Sequence, residues 1–192
     1  MKKFLIFLAI FTLGCDQETK EQIYKSFTTN EEINLKSVTG GNLTLIRTNG
    51  GFKIKNSDKI LLIDIFGTYC APCQAEAPML SEFTIKNSDK FEMVALTHFE
   101  DVNDEFVIEN FVKKYNAYYF ISNDKEKNSR IIAQIENDTK YEKALALPFK
   151  VVYKNGVEQN LTNNETTRGF RNFYIGKVGK EILQNDIKRI SE

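Results

Sequence analysis

The chain has 192 residues, 42% of them hydrophobic and 27% charged, which fits one globular domain with an ordinary core and excludes a disordered or membrane-spanning polypeptide. Lys plus Arg and Asp plus Glu each number 26, so no net charge recruits nucleic acid or an anionic surface, and nucleic acid is set aside as a partner. Three cysteines and a single histidine limit the metal chemistry open to the chain.

The N-terminus, MKKFLIFLAIFTLGC, starts with Lys2 and Lys3, runs apolar from Phe4 to Leu13 and closes on Gly14 and Cys15. About ten apolar residues are too few to cross a hydrocarbon layer of roughly 30 Å, so residues 1–14 read as a signal peptide. A small residue followed by Cys at this point resembles a bacterial lipobox, which implies that Cys15 carries lipid and becomes the mature N-terminus. Ordinary secretion and a buried N-terminal helix are the alternatives. Asp16 resembles an inner-membrane retention signal. The expected organisation is a lipoprotein-type signal peptide at 1–14, a tether at 15–32 and a folded domain at 33–192. The protein is placed on the periplasmic side of a bacterial envelope, anchored by lipid or secreted to the periplasm.

Residues 33–54, including GGNLTLIRTNGGF, are expected to form an N-terminal β-hairpin. KILLIDIF, residues 59–66, is apolar on both alternating faces: Ile60, Leu62 and Phe66 on one, Leu61, Ile63 and Ile65 on the other. That pattern belongs to a central strand buried on both sides. A short turn at Gly67 and Thr68 follows, and APCQAEAPMLSEF has the composition of a helix, so Cys70 falls at or just before the first helical turn.

With Cys15 assigned to lipid, Cys70 and Cys73 remain as a pair in an oxidising compartment. A disulfide closing so short a loop constrains the unfolded chain little and makes a poor staple. A structural zinc site wants four ligands, and the pair plus His98 falls short; a copper-type site on Cys70, Cys73 and His98 would need the histidine to converge from a separate strand end. The third reading is exchange. Unpaired N–H groups and the dipole at a helix N-terminus stabilise a thiolate, lowering the Cys70 pKa from ~8.5 and making it the nucleophile. Cys73, one turn deeper, would resolve the mixed disulfide.

The remaining pattern alternates. FEMVALTH (91–98) reads as a strand, VNDEFVIENFVKKYN (102–116) as a helix, AYYFIS (117–122) as a strand and NSRIIAQIEN as a helix, an order that suits α/β packing. His98 is expected to be an exposed loop residue, and Tyr115, Tyr118, Tyr119 and Phe120 core and edge aromatics. FKVVY, an Asn155-Gly156 turn and a strand near Val157 to Leu161 follow Pro148. NFYIGKVGKEILQNDIKRI places Ile175, Val178, Ile182 and Ile190 near helical spacing and reads as a closing helix.

Strand, short turn, aromatic, C-x-P-C and then C-x-x-E-x-P together resemble the TlpA/ResA branch of exported thiol–disulfide oxidoreductases in the thioredoxin superfamily, over roughly residues 27 to 190. Tyr69 stands where that branch usually has Trp, Pro72 and Pro78 match its prolines, and Glu76 matches the acidic residue three after the second cysteine. The resemblance implies an α/β thioredoxin-like fold, a central mixed sheet flanked by helices with the N-terminal hairpin added. Asp64 resembles the buried Asp of classical thioredoxins; a buried carboxylate without a counter-ion shifts its pKa upward, which suits a proton acceptor for Cys73. The alternative is a strand Asp capping a neighbouring backbone group. Glu76 resembles a glutamate that tunes thiol acidity, against an exposed helix Glu. The family also implies a cis-proline opening a strand across the site, for which Pro148 is the candidate, and a backbone contact of Leu147 with an extended substrate, against a purely core role. Tyr69, Leu147 and Pro148 form the expected substrate side.

The expected activity is a membrane-tethered thiol–disulfide oxidoreductase with the Cys70–Cys73 pair as its redox centre and neither dissociable cofactor nor metal. It would act on thiols and disulfides of proteins outside the cytoplasm, as a reductant fed by a membrane electron donor, with cytochrome c maturation one such setting. A general oxidase or isomerase of the same fold, and a non-catalytic lipoprotein whose disulfide shapes a binding surface, are the alternatives.

Overall fold

A computed structural model describes residues 24–166 and 168–192; the expected signal peptide, Cys15 and the start of the tether lie outside the described residues. Strands β1 (Glu32–Lys36), β2 (Asn42–Thr48) and β3 (Gly51–Ile54) form an antiparallel meander, so the expected hairpin is present and gains a third strand. β4 (Ile60–Phe66) leads into helix α1 (Ala71–Lys86) and returns as β5 (Phe91–Thr97), which pairs parallel with β4. A helical segment follows: α2 (Asp104–Val107), a π-helical stretch Ile108–Val112 and α3 (Lys113–Tyr115). β6 (Phe120–Ser122) is parallel to β5, and α4 spans Lys125–Thr139.

β7 (Phe149–Lys154) runs antiparallel to β4 and pairs with the short β8 (Val157–Glu158). β9 (Leu161–Thr162) pairs with β10 (Phe170–Arg171), β11 (Phe173–Ile175) closes the sheet on the other edge of β7, and α5 (Lys180–Ser191) ends the chain. The central sheet therefore has the order β11-β7-β4-β5-β6 and is mixed. This is the thioredoxin-like arrangement expected from the motif.

All seven residues of β4 are buried. Ile60, Leu62 and Phe66 pack beneath α1, the π-helical segment and α5, whereas Leu61, Ile63 and Ile65 pack against the meander and α4. The two alternating faces read from the sequence are thus two separate cores. The packed structure begins before residue 33: Phe27 lies against Phe52 at 5.9 Å between ring centroids, and the Arg130 guanidinium sits 3.7 Å above its ring.

The closing helix is shorter than its pattern. Ile175 belongs to β11 and pairs with Phe149, and Val178 lies in the connection to α5. Gly176 adopts φ 70, which no helix accommodates, and Gly179 is the N-cap of α5; the two glycines convert an apparent helical period into strand, turn and helix.

Candidate active site

Cys70 and Cys73 form a disulfide, with Cα atoms 5.2 Å apart. Cys70 is the N-cap of α1: its backbone is extended, and its Sγ accepts the Cys73 N–H at 3.3 Å. No acidic residue stands in the first turn of α1, so nothing there opposes negative charge on the Cys70 sulfur. Cys73 is almost wholly buried, at 2% exposure against 8% for Cys70. Attack from solvent is therefore directed to the first sulfur.

The loop before the helix is pinned from several sides. The Cys70 N–H donates to Gly67 at 3.1 Å, Gln74 Nε2 donates to the Thr68 carbonyl at 2.6 Å, and the Thr68 N–H and hydroxyl donate to the two carboxylate oxygens of Glu100 at 3.0 and 2.5 Å. Glu100 follows β5 and was given no role from the sequence. Tyr69 is 57% exposed, its ring lying over Gly67, where a Cβ would meet it at 2.9 Å. A side chain at Gly67 would push this exposed ring aside. Pro72 occupies the first turn, where a missing N–H costs nothing; Pro78 lies inside α1 and removes one helical hydrogen bond.

The Leu147–Pro148 peptide bond is cis, as the family resemblance implies, and it opens β7, which pairs with β4. Pro148 is buried, and Leu147 is half-buried and packs against both cores. His98 is half-buried rather than exposed, its ring lies tilted against that of Phe99 with centroids 3.7 Å apart, and burial holds it below the usual histidine range. Among the described residues no group of His, Cys, Asp and Glu could hold a metal ion.

Beneath the helix lies a charged cluster that the sequence reading only half anticipated. Asp64 and Glu76 are 2% and 3% exposed, so Glu76 is not an exposed helix residue; it shares the inward face of α1 with Cys73, Ala77 and Leu80. Asp64 does have a counter-ion, which corrects the expectation of an unpaired carboxylate. Lys150, fully buried on β7 and directly opposite Asp64 in register, places Nζ 3.3 Å from Asp64 Oδ1 and donates a hydrogen bond to Glu76 Oε1. Glu76 Oε2 accepts the Val178 N–H at 3.1 Å. Among the described residues no hydrogen bond reaches Asp64 Oδ1.

Burial is the largest single influence on each of the three. It raises both carboxyls above their ordinary range, Glu76 to about 7, against the pull of the Lys150 charge. Burial also pulls Lys150 down, but the two carboxylates outweigh it and hold the ammonium above its usual range. Tyr119 faces the cluster and is kept neutral first by burial and then by Asp64 and Glu76. Lys150 escaped notice in the sequence; the signal was a lone Lys inside the otherwise apolar run FKVVY.

A mixed sheet with a disulfide at the start of the helix after its central strand, and a cis-proline opening the strand paired with that central strand, defines the thioredoxin class of protein. Residues 44–146, more than half of the chain, match the Thioredoxin family model, and the chain belongs to that family. Thiol-disulfide oxidoreductase ResA of Bacillus cereus is 34% identical over 79 residues, covering 39% of this chain and 44% of that protein. The chain thus spans less than half the length of this curated relative. Among solved structures, a thiol:disulfide interchange protein of Chlorobium tepidum TLS aligns with TM-score 0.56 and 15% identity over 86% of this chain and 97% of its own. A secreted Mycobacterium tuberculosis disulfide oxidoreductase homologous to E. coli DsbE aligns with TM-score 0.53 and 17% identity over 82% and 95%. At these identities the structural likeness shows the fold.

Proposed function

We propose that the protein is a thiol–disulfide oxidoreductase of the ResA type, acting as a reductant of disulfides in proteins outside the cytoplasm. The observation that carries this reading is the Cys70–Cys73 disulfide, with the more exposed sulfur at the N-cap of α1 and the deeper one a turn behind it. In the reduced protein the Cys70 thiolate attacks one sulfur of a client disulfide; a Cys70–client bond forms and the client's other sulfur leaves as thiolate. Cys73 then loses its proton and attacks Cys70 Sγ, the Cys70–client bond breaks, and the client departs with both sulfurs reduced. The electron pair lost by Cys70 and Cys73 equals the pair gained by the client, and a membrane dithiol donor restores the protein. Lipid on Cys15 would hold it at the envelope membrane, with apocytochrome c one oxidised client. Among the described residues no helix is long and apolar enough to cross a membrane.

Trapping with Cys73→Ala tests the reading. Cells expressing this variant should accumulate client proteins joined to Cys70 and released by dithiothreitol. If no mixed disulfide forms, and the purified wild-type dithiol does not reduce insulin above background, the disulfide is structural and the proposal is wrong.

A further inference from the structure

The cluster beneath α1 holds one cation and two carboxylates, all almost entirely out of water. With both carboxylates ionised it would carry a net buried negative charge, which is costly; with one proton it is neutral. The pair therefore shares a proton, and its titration belongs to the pair rather than to either residue. Geometry decides where that proton sits. Glu76 receives two donors, the Lys150 ammonium on Oε1 and the Val178 N–H on Oε2, and both favour its ionised form. Asp64 receives only the off-line approach of Nζ at 3.3 Å, with no hydrogen bond to Oδ1. The groups facing the cluster come from every packed element: Asp64 from β4, Glu76 from α1, Lys150 from β7, neutral Tyr119 from the approach to β6 and the Val178 N–H from the approach to α5.

We propose that Lys150 is a positioning residue for the exchange reaction, clamping Glu76 in its ionised form and leaving Asp64 as the carboxyl that exchanges a proton with Cys73. The inference rests on the thiol–disulfide reading above. In the resolving step the Cys73 S–H proton passes to the Asp64 carboxylate, the Cys73 sulfur bonds Cys70 Sγ, and the client sulfur leaves with the electron pair of the broken bond. Lys150 acts from two residues beyond Pro148 and touches no reacting sulfur. Its effect is to set the pH at which Asp64 is empty and able to accept.

The test follows release of thionitrobenzoate from its mixed disulfide on Cys70 of the full-length protein, by stopped flow across a pH series. Wild type should show one inflection, set by the carboxyl pair. Lys150→Met removes the cation, so the inflection moves up by about one pH unit and release at neutral pH slows about tenfold. Lys150→Arg keeps the charge and restores most of the rate. Glu76→Gln frees Lys150 for Asp64 and moves the inflection down, while Asp64→Asn removes it. A Lys150→Met profile that superimposes on wild type overturns the assignment, and so does loss of the inflection in Glu76→Gln with its retention in Asp64→Asn. Because loss of a buried cation can unfold a chain, the carboxyl carbon resonances of wild-type Asp64 and Glu76 provide a readout without a variant: Asp64 should shift as the shared proton leaves and Glu76 little, and the reverse pattern overturns the proposal. A wild-type adduct that Cys73 never resolves would instead overturn the exchange reading itself, and this inference with it.

Discussion

The two faces of β4 are built from the same strand and do different work. On the side of the meander and α4, Leu61, Ile63 and Ile65 meet Leu45, Phe52, Ile131, Ile135, Phe149 and Val151, an interior of interlocking apolar side chains. On the side of α1, Leu62 and Phe66 flank Asp64, and the strand's one charged residue faces Lys150 and Glu76 across a space closed to water. Apolar burial stabilises in proportion to area removed from water, whereas a buried ionic cluster roughly breaks even against an apolar replacement of equal size. The comparison teaches that both faces hold the fold together with apolar side chains, while the α1 face alone also carries a buried ion cluster, which adds little stability and keeps a movable proton under the helix that bears the dithiol.

The contrast is broken most directly from the apolar side. Ile63→Ala leaves a cavity where the strand meets the meander and should cost about 2–5 kcal/mol in urea unfolding of the oxidised protein. The exchange rate per folded molecule should stay the same, since Ile63 faces away from the cluster; a rate loss matching the stability loss would show that the faces are not independent.

The charged side should reveal itself through pH. The Glu76 carboxyl is raised from its ordinary 4.5 to about 7, and Asp64 is raised as well, both chiefly by burial. A raised carboxyl binds its proton more tightly folded than unfolded, so its contribution is complete below about pH 4.5 and is lost as pH rises through about 7. For a shift of that size the difference is at most about 3 kcal/mol, and it belongs to the pair that shares the proton. Urea midpoints should therefore fall across that window in wild type; Asp64→Asn should remove most of the slope, whereas Glu76→Gln should keep a slope and move it to lower pH. An equally steep curve in Asp64→Asn would place the titration elsewhere.

Replacing the whole cluster sharpens the same comparison. Asp64→Leu, Lys150→Met and Glu76→Leu combined should hold stability or raise it by about 1–4 kcal/mol, while abolishing the pH dependence of the resolving step. Large destabilisation would mean that the ion cluster organises the fold rather than the chemistry. The smallest effect belongs to the surface: Glu82 pairs with Lys86 and Lys180 in water, and Glu82→Ala should leave the urea midpoint within experimental error.

Much of this arrangement was legible locally. KILLIDIF alternates two apolar faces because a strand turns its side chains to opposite sides at every residue, and both faces proved to be core. C-A-P-C after a turn placed Cys70 at a helix start because capping and proline preferences act within a few residues. The same local reasoning misled at residues 172–179, where Ile175 and Val178 keep a helical period while Gly176 and Gly179 break the helix.

The sequence by itself therefore determined the buried strand and the position of the two cysteines on the helix it feeds, since each is written in neighbouring residues; the cis-proline at Pro148 was legible only through the family resemblance. Only the tertiary structure decided what Asp64 and Glu76 face. Lys150 is 74 residues from Glu76 and meets it because β7 pairs beside β4 under α1; Glu100 reaches Thr68 because β5 runs parallel to β4 and ends beside it. Periodicity reports which side of an element is buried. It carries no information on which distant strand brings a charge to that side, and in a site closed to water that charge sets where the proton rests.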